Sequence, residues 1–388
     1  MHILLICSTY PEHNDARRGV FFRDQARALK AAGHRVGVLV VNGISPNDFL
    51  LCRNADPVIS FEDGIPVYRS VRLPIPIRNA DSLLHLWSMT APAAWLFKKY
   101  INNEGHPDIL HAQNFFYAGL AGIRIKSKRE LPFVITEHSS AFLRDALSEK
   151  QKQLFSRNIG AVDRCMAVSS ALAKTLTELV PSLSVEVVGN MVDTDYFKPH
   201  PPPSKKGFVF LIAASLDENK CVGDAIRAFT EAFSTDLNAQ LWVCGQGPEE
   251  KKLHALAADL NIAGQIKFLG FTNRYGLRDY YSRADVVIST SKLETFGLTL
   301  LEAMACGKPV ITTRSGGPED FTTSQVGILV DMGDIKALSA AMRRMVQNYN
   351  NFDSQSIRGY VVSKYSQNVI AGKITDIYLS ILDLNGKI

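Results

Sequence analysis

The chain has 388 residues, 46% of them hydrophobic and 21% charged, with a net charge of +5. That is room for two domains of about 150 to 200 residues, and it excludes a disordered or fibrous chain. The mild positive balance forms no basic stripe, so no nucleic-acid partner is expected. No run approaches the roughly 20 uninterrupted apolar residues of a membrane span, and the start, MHILLICSTYPEHND, lacks a signal peptide's basic region and cleavage site. A cytoplasmic protein is the expectation. The six cysteines are scattered without a C-x-x-C pair and read as reduced core residues, implying neither zinc nor a disulfide framework.

In chain order, HILLIC opens as a buried strand, and an amphipathic segment follows from Val20 to Ala32. Arg18 and Gly19 precede that helix. Gly19 would let a phosphate or an acceptor approach the helix start, and would serve equally as a plain turn residue. RVGVLVV is a second strand. The denser apolar stretch from Leu83 to Ile101, with Trp87, Trp95, Phe97, Lys98 and Lys99, reads as a core-facing helix more simply than as an interfacial one. DILHAQ, PFVITEH, CMAVS and SVEVVGN are further strands. His138 ends PFVITEH, while Gln113 is given no role. A cluster of Arg124, Lys126, Lys128 and Arg129 reads more simply as a solvated helix end, with peripheral contact of the first domain at an anionic membrane surface kept as the alternative. Asp193-Thr194-Asp195 has the spacing of a metal-binding D-x-D, but its setting just before a linker favours a structural role, and no metal is expected.

The proline-rich KPHPPPSKK suits an interdomain linker. The expected boundaries are 1–198 for the first domain, 199–206 for the linker, 207–367 for the second domain and 368–388 for a last amphipathic helix. The second half repeats the strand and helix alternation with GFVFLIAAS, QLWVCGQG, IKFLG, ADVVIST and KPVITT, so both halves read as α/β with parallel sheets. Ser215 and Lys220 fall in the loop after the first of these strands, at the carboxyl edge where open α/β sheets bind ligands. Gly245 and Gly247 form a G-x-G at the end of the next strand, without the third glycine of a dinucleotide fingerprint.

The segment STSKLETFGLTLLEAMACGKP is the most informative. A strand ends near Ile288 and a helix spans Leu298 to Cys306, with an exposed Phe296-Gly297 turn between Glu294 in the loop and Glu302 one turn into the helix. The first N–H groups of such a helix lack internal partners and carry the positive end of its dipole, which makes an anion site. Glu302 would repel a phosphate, so it makes sense facing a sugar diol, and Glu294 could hold a second sugar. Phosphate between two sugars describes a nucleotide-sugar.

E-x-F-G-L-x-x-x-E, with the Gly19 loop, T-x-H at His138, N-x-x-D-x-x-x-F through Asn190, Asp193 and Phe197, and the Lys220 loop in the same order, resembles glycosyltransferase family four, the retaining transferases of GT-B fold. The resemblance implies two Rossmann-like doubly wound domains facing across a cleft, with the last helix crossing back to the first domain. It implies donor-sugar contacts for Glu294 and His138, diphosphate contacts for Lys220 and the amides of Phe296, Gly297 and Leu298, a donor-site place for Thr295, and a ribose contact for Glu302. Gly19, Ser215, Gly245 and Gly247 complete the donor site, and Ser215 replaces an Arg often found there. The implied activity is transfer of a hexose-type sugar from a nucleotide-diphosphate donor to a glycan or lipid-linked acceptor, without metal or other cofactor, in surface polysaccharide or glycolipid synthesis. The alternatives are a non-hydrolysing nucleotide-sugar epimerase of the same fold and an idle sugar-binding scaffold.

Overall fold

In the computed structural model, the structure describes residues 1–11, 19–41, 58–69, 83–200, 207–236 and 238–384, without the side chains of 83–89 and 91–92. Arg18, Cys52, Trp87 as a side chain and most of the expected linker, 201–206, lie outside the described residues. The chain divides into two compact units, Met1–Met191 with Ile370–Ile388, and Val192–Val369.

The first unit is built on an eight-stranded sheet. Its strands are β1 (His2–Cys7), β2 (Arg35–Val40), β3 (Val58–Glu62), β4 (Ile65–Arg69), β5 (Ile109–Gln113), β6 (Phe133–Glu137), β7 (Arg164–Ala167) and β8 (Val185–Val187), in the order β3-β4-β2-β1-β5-β6-β7-β8. The central strands are buried along their whole length, which is why they read as continuous apolar runs instead of alternating ones. β3 and β4 were not among the expected strands, and they pair antiparallel at the edge. Their turn is Asp63-Gly64, both at positive φ (53° and 68°), the dipeptide and backbone a tight hairpin requires. The helix Leu83–Glu104 buries Ala93, Leu96, Phe97 and Tyr100, as a core-facing helix should. The last helix, Gln367–Leu384, buries Ile370, Ile374, Ile377, Tyr378 and Ile381, a stripe at helical spacing, and Thr375 hydrogen-bonds His34 at 2.8 Å.

The second unit has a six-stranded sheet that is parallel throughout. β9 (Phe208–Ala213), β10 (Ala239–Cys244), β11 (Ile266–Gly270), β12 (Val286–Ser289), β13 (Val310–Thr313) and β14 (Gly327–Val330) lie in the order β11-β10-β9-β12-β13-β14. Numbered within the unit, that is the 3-2-1-4-5-6 order of the Rossmann fold. The core runs from Phe210 and Ile212 through Phe229 and Phe233 to Met342 and Met345. The strand order reverses between β9 and β12, so the loops that leave these two strands part in opposite directions and open a crevice at their carboxyl ends.

Candidate functional site

That crevice holds Lys220 and Glu294, two of the charged residues singled out in the second half. A cavity of about 300 Å³ is lined by Ser215 and Lys220 after β9, by Ser289 at the end of β12, and by Thr290, Ser291, Glu294, Gly297, Leu298 and Thr299 after it. Lys220 Nζ donates to Glu294 Oε2 at 2.6 Å, with both side chains about a fifth exposed (22% and 21%). The two loops are stitched together. Thr290 Oγ1 donates to the carbonyls of Lys220 and Cys221 at 2.8 and 3.1 Å, Lys292 N donates to Asn219 O, and Asn219 Nδ2 donates to Leu293 O. Lys220 is therefore placed by hydrogen bonds and does not wave in solvent. Ser215 Oγ is turned to Asp217 at 2.6 Å, where it stiffens the same loop.

Gly297 caps the helix Leu298–Ala305 with φ 100°, and a Cβ there would lie 3.2 Å from Phe321 and 3.4 Å from Pro318. The backbone conformation favours glycine, and the space beside it is tight. With no side chain capping it and no acid in its first turn, the helix presents its first N–H groups and the positive end of its dipole to the cavity. The expected exposed turn is half corrected: Phe296 is 2% exposed and packs edge-on against Phe321 and Tyr365, because the turn leans on the loop after β13. That loop also clamps Glu294, which donates N–H to Ser315 O and accepts from Gly317 N, each at 2.8 Å. A Cβ on Gly317 would lie 2.4 Å from the Phe296 Cα, and Glu319 accepts from Gly316 N at 2.9 Å. The G-G-P-E run after KPVITT is the signal that reveals this clamp.

Glu302 lies outside the cavity. It is 2% exposed, pairs with Arg274, and receives the Tyr281 hydroxyl at 3.4 Å. Arg274 was not singled out beforehand. Thr295 is half-buried in the turn. Gly245 and Gly247 meet the loop after β9 so closely that a Cβ would fall 1.8 Å from Ala214 O and 2.3 Å from Leu216 O, and Leu216 N donates to Gln246 O. Their absent side chains thus set the shape of the Ser215–Lys220 loop. Asp193 accepts from Tyr196 N at 2.9 Å, a turn cap.

In the first unit His138 follows β6 and is buried, with Phe21 and Phe22 of the helix Val20–Ala31 packed on its ring at 5.1 and 5.2 Å. Gly19 caps that helix at φ 76°. Burial pushes the His138 pKa down to about 3, partly offset by Asn190 beside it, so the imidazole is neutral. Its Nε2 lies 2.8 Å from Gln113 Oε1, which corrects the reading that gave Gln113 no role. Its backbone N–H is held by Asn114 Oδ1 and Glu137 Oε1, both at 3.0 Å. Glu137 is wholly buried and also accepts from Phe115 N at 2.8 Å and Ser139 N at 2.8 Å; burial outweighs these donors and lifts its pKa to about 7. The chain next to this carboxylate is strained, with Asn114 at φ 73° and Tyr117 at φ 65°, ψ −68°. Strain of about 1 to 3 kcal/mol per residue persists only where the surroundings enforce it. A strand-terminal acid beside a histidine, as in T-E-H, was the available signal.

Known proteins match this chain over nearly its whole length. The family profile described as glycosyl transferases group 1 matches residues 193–361, and that of Glycosyltransferase Family 4 matches residues 19–196. The D-inositol 3-phosphate glycosyltransferase of Acidothermus cellulolyticus is 30% identical over 328 residues, 76% of this chain and 71% of that protein. The N-acetyl-alpha-D-glucosaminyl L-malate synthase of Bacillus anthracis is 30% identical over 241 residues, 58% of this chain and 62% of that enzyme's length. In structure, the sucrose-phosphate synthase from Thermosynechococcus elongatus superposes with a TM-score of 0.79 at 19% identity, covering 99% of this chain and 100% of that one. Anabaena HepE, solved in complex with UDP, gives 0.74 at 19% identity over 98% of this chain and 100% of that one. Two Rossmann-like domains of this kind are the GT-B architecture.

Proposed function

The chain belongs to the group 1 glycosyl transferases of glycosyltransferase family four, and from that premise we propose a retaining enzyme that moves a hexose-type sugar from a nucleoside-diphosphate donor to a hydroxyl of a glycan or lipid-linked acceptor. The observation that carries this reading is the Lys220–Glu294 pair beside an uncapped helix start in a cavity at the Rossmann switch point. A cation and a helix N-terminus suit a diphosphate, and a carboxylate next to them suits sugar hydroxyls. That HepE was solved with UDP-glucose supports a nucleotide-sugar as the ligand class.

In the proposed step the bond from the anomeric carbon to the phosphate oxygen breaks, and its electron pair leaves with the nucleoside diphosphate. The acceptor oxygen bonds to the same face of the sugar, and its proton passes to a phosphate oxygen. Lys220 and the N–H groups at Leu298 and Thr299 stabilise the departing charge, so the step needs no metal. Glu294 receives sugar hydroxyls once Lys220 turns to phosphate. Glu302, whose carboxylate Arg274 orients, takes the ribose contact that the family resemblance implies.

The test begins with thermal unfolding in UDP, GDP and ADP. One of them should raise the midpoint, by about 2.7 kcal/mol of stability at 100 times its dissociation constant. The matching nucleotide-sugar should then release nucleoside diphosphate in an acceptor-dependent manner with retained anomeric configuration. No stabilisation by any of the three would remove the reading, and inverted product would remove the retaining mechanism.

A further inference from the structure

We propose that Glu294 is a specificity-determining residue, which sets the cavity to hold an intact sugar donor and to let go of the bare nucleoside diphosphate; the identity of these ligands rests on the function proposed above. The starting point is a charge count. Among the described residues that line the cavity, Lys220 is the one cation and Glu294 the one anion, so the lining is neutral apart from the helix start. Other cations close in sequence are turned elsewhere. Lys292, two residues before Glu294, lines a different cavity of about 580 Å³ together with Asp217, Asp224 and Glu249, and Arg314, beside Ser315, pairs with Asp331 at 3.1 Å. The Ser215 hydroxyl donates to Asp217. Two adjoining phosphates would be held more strongly in this cavity without a carboxylate, so Glu294 acts against them and its presence calls for a reason.

The pair is fixed as a unit. Lys220 Nζ donates to Glu294 Oε2 at 2.6 Å, the short length of a charge-assisted hydrogen bond. The carboxylate cannot leave with its loop, because Glu294 N donates to Ser315 O and Glu294 O accepts from Gly317 N, each at 2.8 Å, while Thr290 Oγ1 and Asn219 Nδ2 tie that loop to the one carrying Lys220. A phosphate that draws Lys220 to itself therefore leaves a carboxylate behind. At about a fifth exposed (21%), that charge is only partly screened.

What then meets the carboxylate decides affinity. In a nucleotide-sugar the second phosphate is esterified and carries one charge, and the attached ring offers hydroxyl donors to Glu294 in place of the ammonium. In the bare diphosphate the terminal phosphate carries about 1.5 to 2 charges near pH 7 and offers no such donors. Glu294 thus meets donors on one ligand and a larger like charge on the other. Cleavage at the anomeric carbon converts the first ligand into the second in place, so repulsion grows as the sugar departs, Lys220 returns to Glu294, and the product leaves. A weak hold on product keeps its release from limiting turnover.

The test compares full-length wild type with Glu294→Gln, which keeps the shape and removes the charge, by calorimetric titration of three probes. These are inorganic pyrophosphate, whichever of UDP, GDP and ADP binds, and the glucose ester of that nucleotide. Glu294→Gln should bind pyrophosphate and the nucleoside diphosphate about tenfold more tightly, gain nothing for the glucose ester, and so lose about tenfold in its preference for donor over product. Glu294→Ser, smaller and also neutral, should move the same affinities in the same direction. A residue that only shaped the loop would weaken all three probes together when changed. Unchanged or weaker binding of pyrophosphate and nucleoside diphosphate in the two variants overturns the proposal, as does an equal gain for all three probes. If no nucleotide binds wild type, the proposed function falls, and the pyrophosphate comparison still decides whether the carboxylate opposes phosphate; equal nucleotide affinity in wild type and variants strikes this inference and leaves that function standing.

Discussion

The two units use opposite physical means to present their candidate groups. In the second unit, Lys220 and Glu294 form an ion pair that is about a fifth exposed, placed in an open crevice and anchored by backbone hydrogen bonds between two loops. In the first, His138, Gln113 and His111 are neutral, buried and fixed by one another. A charge that must change partner needs solvent nearby, because an isolated charge in a dry interior costs far more than its ion pair returns. A neutral ring that must hold one orientation gains from dryness, because every partner then counts. The comparison teaches that electrostatic work and geometric work are placed where the surroundings favour each.

The comparison breaks first at the charged pair. Glu294→Ala and Lys220→Ala should each lower turnover at least a hundredfold, about 2.7 kcal/mol of transition-state stabilisation, while the unfolding midpoint moves little, since a partly exposed ion pair contributes about 0 to 1 kcal/mol. Wild-type turnover in either variant would refute the assigned role. The neutral cluster sharpens the contrast through acid. His111 and His138 titrate near 3 against an ordinary 6.5, and Glu137 near 7 against an ordinary 4.5, all because of burial. Between about pH 6.5 and 4.5 the unfolded chain takes up the two histidine protons that the native state refuses. The native state meanwhile keeps the one Glu137 proton that the unfolded chain has released. The net difference of one proton favours unfolding as pH falls, so stability should drop by about 1.4 kcal/mol per pH unit across that window. A midpoint that stays level from pH 6.5 to 4.5 would contradict the assigned burial.

Gly297→Ala probes the helix start with a smaller effect. A methyl group at φ 100° beside Phe321 should cost about 1 to 2 kcal/mol and weaken nucleotide binding more than it weakens acceptor use. Equal affinity for nucleotide in the variant would argue against a phosphate at that turn. The smallest expected effect is that of chelation. EDTA should leave turnover unchanged, and loss of activity restored by added magnesium would overturn the metal-free mechanism.

Much of this was legible in the sequence because parallel strands covered on both faces read as apolar runs, and because ligand loops leave their carboxyl ends. HILLIC and FVFLIA are strands over nearly the residues their composition marks, and Lys220 and Glu294 meet because β9 and β12 are neighbours. What stayed hidden depends on contacts between distant segments. Nothing local to Phe296 announces that Phe321 and Tyr365 will cover it, and nothing local to Gln113 announces that His138, 25 residues on, will lie 2.8 Å from its amide. Glu302 reads as a diol acceptor from its place on the helix after Gly297, but its pairing with Arg274, 28 residues earlier, has no local signal. The β3–β4 hairpin, by contrast, was a miss with a local signal, its Asp63-Gly64 turn.

The most direct test of the central claim is calorimetric titration of UDP, GDP and ADP into the full-length wild-type chain and into Lys220→Ala. The account predicts saturable binding of one nucleotide to wild type and at least tenfold weaker binding to the variant. Equal affinity in both proteins, or binding of none of the three to wild type, would contradict it.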